Sequence, residues 1–144
     1  MDNLPSDNNN STTLDKGVIH IIDDEQDIVT IATRALEKEG YPVHSFSDTN
    51  KALADIEQEC RKKVRMLITD IRMPEMTGIR LARYVQEIKP SMKVVIMTAY
   101  EVAPEDLSEH LPSITHQDIL QKPFKLLQIC TTVKKQLQTA IPRK

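Results

Sequence analysis

Five short apolar runs, each followed by a stretch with helical spacing, recur between residues 18 and 137. This alternation limits the fold more than any other feature of the chain. A strand that is always followed by a helix cannot pair antiparallel with its successor through a tight turn, so the sheet is expected to be parallel, with helices on both faces. Right-handed crossovers then align every strand's carboxyl end along one edge. In sheets of this class, that edge is where ligands bind.

The strands are expected at Val18–Ile22, Pro42–Phe46, about Arg65–Thr69, Met92–Met97 and, poorly patterned, His116–Gln121. In the first helix Ile28, Ile31, Ala32, Ala35 and Leu36 share a face, and Gly40 stands where a left-handed cap is wanted. Asp48 is expected to cap the second helix, which turns Ala52, Leu53 and Ile56 inward. The third helix starts near Gly78, with Leu81, Ala82, Val85 and Ile88 inward and Pro90 at its end. A short helix over Pro104–His110 carries Leu107 and Leu111 on one side. The last presents Leu126, Cys130, Val133 and Leu137.

At 144 residues the chain is long enough for one domain with a sizeable core. Residues 1–15 are rich in Asn, Ser, Thr and Asp and lack periodicity, so they read as a disordered polar tail before a domain over 16–140. A net charge of -2 without a basic stripe, and 3% aromatics, argue against nucleic acid as a partner. No run approaches the roughly 18 apolar residues of a membrane span, and the polar N-terminus is no secretory signal. A cytoplasmic protein is expected. Cys60 and Cys130 fall in helical patterns and read as small core hydrophobes. His20 reads as a satisfied strand histidine, because no second His or Cys stands at metal-ligand spacing.

Four strand ends carry polar side chains: Asp23 and Asp24, Asp70, Thr98, and Lys122. Each has a structural reading, such as helix capping for Asp24, turn chemistry for Asp70 and Thr98, or ion pairing for Lys122. Together at one sheet edge they point to a site. Crowded carboxylates repel one another. A hard divalent cation relieves this, and oxygen donors without His or Cys suggest Mg2+. An ammonium and a hydroxyl beside a free carboxylate can stabilise a phosphoryl group in transfer to an aspartate nucleophile.

Ile22-Asp23-Asp24-Glu25, Thr69-Asp70-Ile71-Arg72-Met73-Pro74, Met97-Thr98-Ala99 and Gln121-Lys122-Pro123-Phe124 together resemble the receiver domain of two-component response regulators, over about residues 17–138. The resemblance implies the flavodoxin-like, doubly wound (βα)5 fold with strand order 2-1-3-4-5. It implies that Asp70 is the phosphoacceptor, supplied by a phosphohistidine on a sensor histidine kinase or phosphotransfer protein. It further implies Mg2+ held by Asp24 and Asp70, by Asp23 through water, and by the backbone carbonyl of Arg72. Lys122 would contact the phosphoryl oxygens, with a cis bond to Pro123, and Thr98 would swing inward to the phosphoryl group. Arg72 and Tyr100 would flank the site and tune the lifetime of the acyl phosphate.

Two features depart from the family pattern. Ile119 stands where receivers usually carry a Tyr or Phe switch residue, with Tyr100 as a substitute, and Leu111–His116 replaces the usual Gly-Ala turn. Both bear on the output face formed by the fourth helix, fifth strand and fifth helix, where a downstream protein target is expected to dock. The expected function is a signalling module, with only self-catalysed phosphotransfer and slow autodephosphorylation. The ending Ile141-Pro142-Arg143-Lys144 reads as that of a stand-alone receiver, a piece of a longer regulator being the alternative. A magnesium-dependent phosphatase acting through an aspartyl phosphate is a second reading. Arg72 stands against it, where those enzymes typically place a general-acid aspartate. A pseudo-receiver would leave Asp24, Asp70, Thr98 and Lys122 idle. A flavin or nucleotide binder would need a glycine-rich loop, and the glycines at 17, 40 and 78 do not make one.

Overall fold

The computed structural model describes residues 17–59, 64–71 and 77–138. The expected tail over 1–15, Cys60, Arg72, the Met73-Pro74 turn and the ending at 141–144 lie outside the described residues.

In chain order the elements are β1 (Val18–Ile22), α1 (Gln26–Lys38), β2 (Val43–Phe46), α2 (Thr49–Glu59), β3 (Val64–Asp70) and α3 (Gly78–Ile88). They continue as β4 (Lys93–Thr98), α4 (Pro104–Leu107), a 3-10 turn (His116–Asp118), β5 (Ile119–Gln121) and α5 (Leu126–Gln138). The strands form one parallel sheet in the order β2-β1-β3-β4-β5, which is the flavodoxin-like arrangement expected from the motifs.

The apolar runs are nearly continuous because helices cover both faces of the sheet. On one face Ile22, Leu67 and Ile96 pack with Ala52, Ile56, Leu81, Val85 and Leu107, so α2, α3 and α4 lie there. On the other Ile19, Ile21, Ile68, Val95 and Met97 pack with Val29, Ala32, Leu36, Ile129 and Val133, so α1 and α5 lie there. Capping sets the helix limits. Asp48 Oδ1 accepts from Asn50 N at 2.8 Å at the start of α2, and Thr77 Oγ1 accepts from Arg80 N at 3.2 Å at the start of α3. Gly40, with φ of 96°, turns the chain out of α1.

Three expected core residues are exposed: Ile31 (50%), Ile88 (39%) and Leu126 (46%). In α1 the buried stripe is Val29–Ala32–Leu36, which is rotated from the Ile28–Ile31–Ala35 series. In α5 two helical series share Val133. The buried one runs through Ile129 and Gln136, and its polar member hides it in the sequence. In α3 the buried stripe stops at Val85, short of the terminal Ile88. The fourth helix is also shorter than expected, closing at Leu107, although Leu107 and Leu111 are both buried. The fifth strand keeps only Ile119–Gln121, and a 3-10 turn capped by Thr115 and Asp118 takes the residues before it.

Candidate functional site

Three strand ends and the segment after β5 build one pocket at the carboxyl edge of the sheet. β1 runs directly into Asp23, fully buried, and Asp24, exposed. Asp23 N donates to Phe46 O at 3.2 Å, and Asp23 Oδ1 accepts from Glu25 N at 2.9 Å, so the turn after β1 is fixed from both sides. Glu25, not Asp24, is the N-cap residue of α1, and its side chain makes no capping bond. Asp70 ends β3, where its Oδ1 accepts from Ile71 N at 3.0 Å. The same backbone N–H reaches Met97 O at 3.2 Å, which ties the end of β3 to β4.

Asp23, Asp24 and Asp70 each offer a carboxylate oxygen, and these oxygens all lie within 4.8 Å of one another. Lys122 reaches them from the segment after β5. Its Nζ lies 2.7 Å from Asp23 Oδ2 and 3.5 Å from Asp70 Oδ1, and its side chain is only 8% exposed. The backbone positions it: Lys122 N donates to Thr98 O at 2.7 Å, and the Lys122–Pro123 peptide is cis, as the motif implied.

The pKa shifts follow from this crowding. Burial raises the Asp23 carboxyl, and its hydrogen bonds from Lys122 and Glu25 N only partly offset that. Burial also raises Asp70, the neighbouring Asp23 charge adds to it, and Lys122 opposes it. For Lys122 burial acts to lower the pKa, but bonds to Asp23 and Glu25 outweigh it and hold the ammonium protonated. Three carboxylates, those of Asp23, Glu25 and Asp70, therefore share one ammonium, and the Asp24 carboxylate stands beside them. An all-oxygen donor set with surplus negative charge fits a hard divalent cation.

Thr98 is fully buried at the end of β4. Its hydroxyl is turned to its own loop, accepting from Tyr100 N at 3.0 Å and lying 3.3 Å from Tyr100 O. Tyr100 is 53% exposed. Ile119 is half-buried against the α2–α3–α4 core rather than facing the acids. Sequence reasoning missed Glu25, whose Oε1 accepts from Lys122 Nζ at 2.9 Å; its place beside the acid pair was the available signal. It also missed the role of Gly78. A Cβ there would stand 1.8 Å from the backbone oxygen of Asp70, so α3 can approach the acid only through a glycine. A groove of about 370 Å3 lies at the opposite edge of the sheet, lined in part by Gln86, Lys93 and Asp118, away from these groups.

Residues 19–134 match the family described as the response regulator receiver domain. The chain is 33% identical over 122 residues to the response regulator receiver protein CpdR of Brucella abortus, covering 85% of this chain and 98% of that protein. It is also 33% identical over 118 residues to the sensor kinase CckA of the same organism, covering 82% of this chain but only 12% of the kinase. Among solved structures, a CheY-like response regulator receiver domain protein from Methanospirillum hungatei superposes with a TM-score of 0.73 at 26% identity, covering 85% of this chain and 94% of that one. The motif-bearing strand ends, the strand order and these similarities agree: the chain belongs to the receiver domain family of two-component response regulators.

Proposed function

We propose that Asp70 accepts a phosphoryl group from a phosphohistidine carried by a sensor histidine kinase or a phosphotransfer protein. The observation that carries this reading is the nearly buried Lys122 ammonium, which lies between the acids of β1 and the acid of β3. In the transfer an Asp70 carboxylate oxygen bonds to phosphorus and the donor's P–N bond breaks. The electron pair of that bond leaves with the imidazole nitrogen, which regains its proton from solvent. Lys122 neutralises charge on the phosphoryl oxygens, and its bonds to Asp23 and Glu25 hold it ready without reorganisation. Burial keeps water from competing for these charges, which strengthens each interaction.

Asp23, Asp24 and Asp70 would hold Mg2+, with the Arg72 carbonyl as a further ligand. When bound, Mg2+ supplies charge neutralisation and orientation to the phosphoryl oxygens. Thr98 gives up its bonds to the Tyr100 backbone and turns its hydroxyl to the phosphoryl group, which moves the β4–α4 loop. The output is a change of shape read by a protein target on the α4–β5–α5 face, where Leu126 and Leu127 are exposed in the first turn of α5. The chain's own chemistry is limited to self-catalysed phosphotransfer and slow autodephosphorylation.

The test is incubation with acetyl phosphate and Mg2+, followed by intact mass measurement. The wild-type protein is expected to gain one hydroxylamine-labile phosphoryl group and Asp70→Asn none. Equal labelling of the variant would contradict the assignment.

A further inference from the structure

On the α2 side of the sheet, well away from the acid pocket, three potential metal ligands from three different elements meet. His20 in β1 and His44 in β2 are register partners in the parallel pairing of these strands. Partners in register project to the same face of a sheet. The two rings stand edge to face, with centroids 5.3 Å apart at 80°. Asp55, from α2, lies over both. His20 Nε2 is 2.6 Å from Asp55 Oδ2, and His44 Nδ1 is 3.2 Å from the same oxygen. One donor atom from each residue lies within 4.8 Å of the other two.

We propose that His20 Nε2, His44 Nδ1 and a carboxylate oxygen of Asp55 form a binding site for a borderline divalent transition metal, with Zn2+ the ion that this donor set fits best. Two imidazoles and one carboxylate are the donor types zinc takes, and three protein ligands leave a fourth position for water. Donors at zinc bond lengths of 2.0–2.1 Å around a tetrahedral ion stand about 3.3 Å apart. The separations from Asp55 Oδ2, 2.6 and 3.2 Å, lie below that value, so an ion enters by opening the His20–Asp55 hydrogen bond through side-chain adjustment. The open position faces solvent, since the His44 side chain is 46% and the Asp55 side chain 31% exposed, whereas His20 is buried.

A hydrogen bond to Asp55 alone would account for the buried Nε2 of His20. The convergence of His44 Nδ1 on the same oxygen is what turns the pair into a ligand set. The His20 ring is also held in place, stacked nearly parallel on Phe46 at 5.4 Å and 5°. A preoriented ligand loses little freedom on binding, as a metal site requires. The bound ion would clip the edge strand β2 and helix α2 to β1. His20 precedes Asp23 by three residues, roughly 10 Å along the strand, so the site is separate from the acid pocket and does not depend on the assignment of Asp70.

The test is Zn2+ titration of the full chain by calorimetry, with Mg2+ in excess to compete for the acid pocket, and with ring-15N-labelled histidines followed by NMR. One Zn2+ is expected to bind, with shifts at His20 Nε2 and His44 Nδ1. His44→Ala and Asp55→Asn should each weaken binding by more than about tenfold, the loss that even an outer-shell change produces. His44→Ala, at an exposed side chain, should keep the fold by circular dichroism and the acceptance of phosphoryl groups from acetyl phosphate. Failure to bind Zn2+, binding without histidine shifts, or wild-type affinity in either variant would overturn the proposal, the last by placing the ion elsewhere, as in the acid pocket.

Discussion

At Lys122 one ammonium faces three carboxylates, 2.7 Å from Asp23, 2.9 Å from Glu25 and 3.5 Å from Asp70. The pair with Asp23 is the one that decides stability, because both side chains are out of water while Glu25 is largely exposed. An exposed pair contributes little, but removing one partner of a buried pair leaves an uncompensated charge. Lys122→Ala is therefore expected to destabilise the fold by on the order of 3 kcal/mol. Urea unfolding at neutral pH measures this, and Mg2+ should return part of the loss by taking up the surplus negative charge. Unchanged unfolding would mean that the ammonium does not balance Asp23. Asp23, Asp70 and Thr98 could be read as candidates because each ends an apolar run, and Lys122 because it follows the last, poorly patterned one. Glu25 offered only its place beside the acid pair as a signal, since nothing in its spacing shows that its side chain turns to a lysine 97 positions away.

The elements matter here for how closely they let backbones approach. Gly78 opens α3 directly against the end of β3, and its N–H donates to Ile71 O at 2.7 Å. Placing Ala in a helix ordinarily gains about 0.5–1 kcal/mol over Gly. Here the added Cβ would stand 1.8 Å from the Asp70 carbonyl oxygen, a backbone atom that cannot rotate away. Steric conflict outweighs propensity, and Gly78→Ala is expected to cost roughly 1–3 kcal/mol, as other forced overpacking does. Thermal unfolding checks the sign. A parallel Mg2+ titration should show weaker binding, because the displaced backbone carries Asp70. A variant as stable as wild type would mean that α3 can slide without strain. Helix existence and capping at Asp48 and Gly40 followed from local signals. The burial of α5 did not, because two helical series pass through Val133 and only packing chooses between them.

For the molecule as a whole, the alternation of strands and helices was enough to foresee a parallel sheet and the edge where the acids meet, while the strand order followed from the family resemblance. Relations that depend on register between distant strands stayed hidden. His20 and His44 are 24 positions apart in the chain yet side by side in the sheet, and no ligand-spacing rule brings them together. The same distinction applies to switching. Thr98 holds the backbone of Tyr100, and Ile119 packs into the core, so the response to phosphorylation should travel through the β4–α4 loop. Amide chemical-shift mapping by NMR, with beryllofluoride and Mg2+ added as a phosphoryl mimic, tests this account most directly. The expected result is large shifts at Asp70, Thr98, Tyr100 and Lys122 that extend into α4 and vanish in Asp70→Asn. Shifts absent from these residues, or retained in the variant, would contradict it.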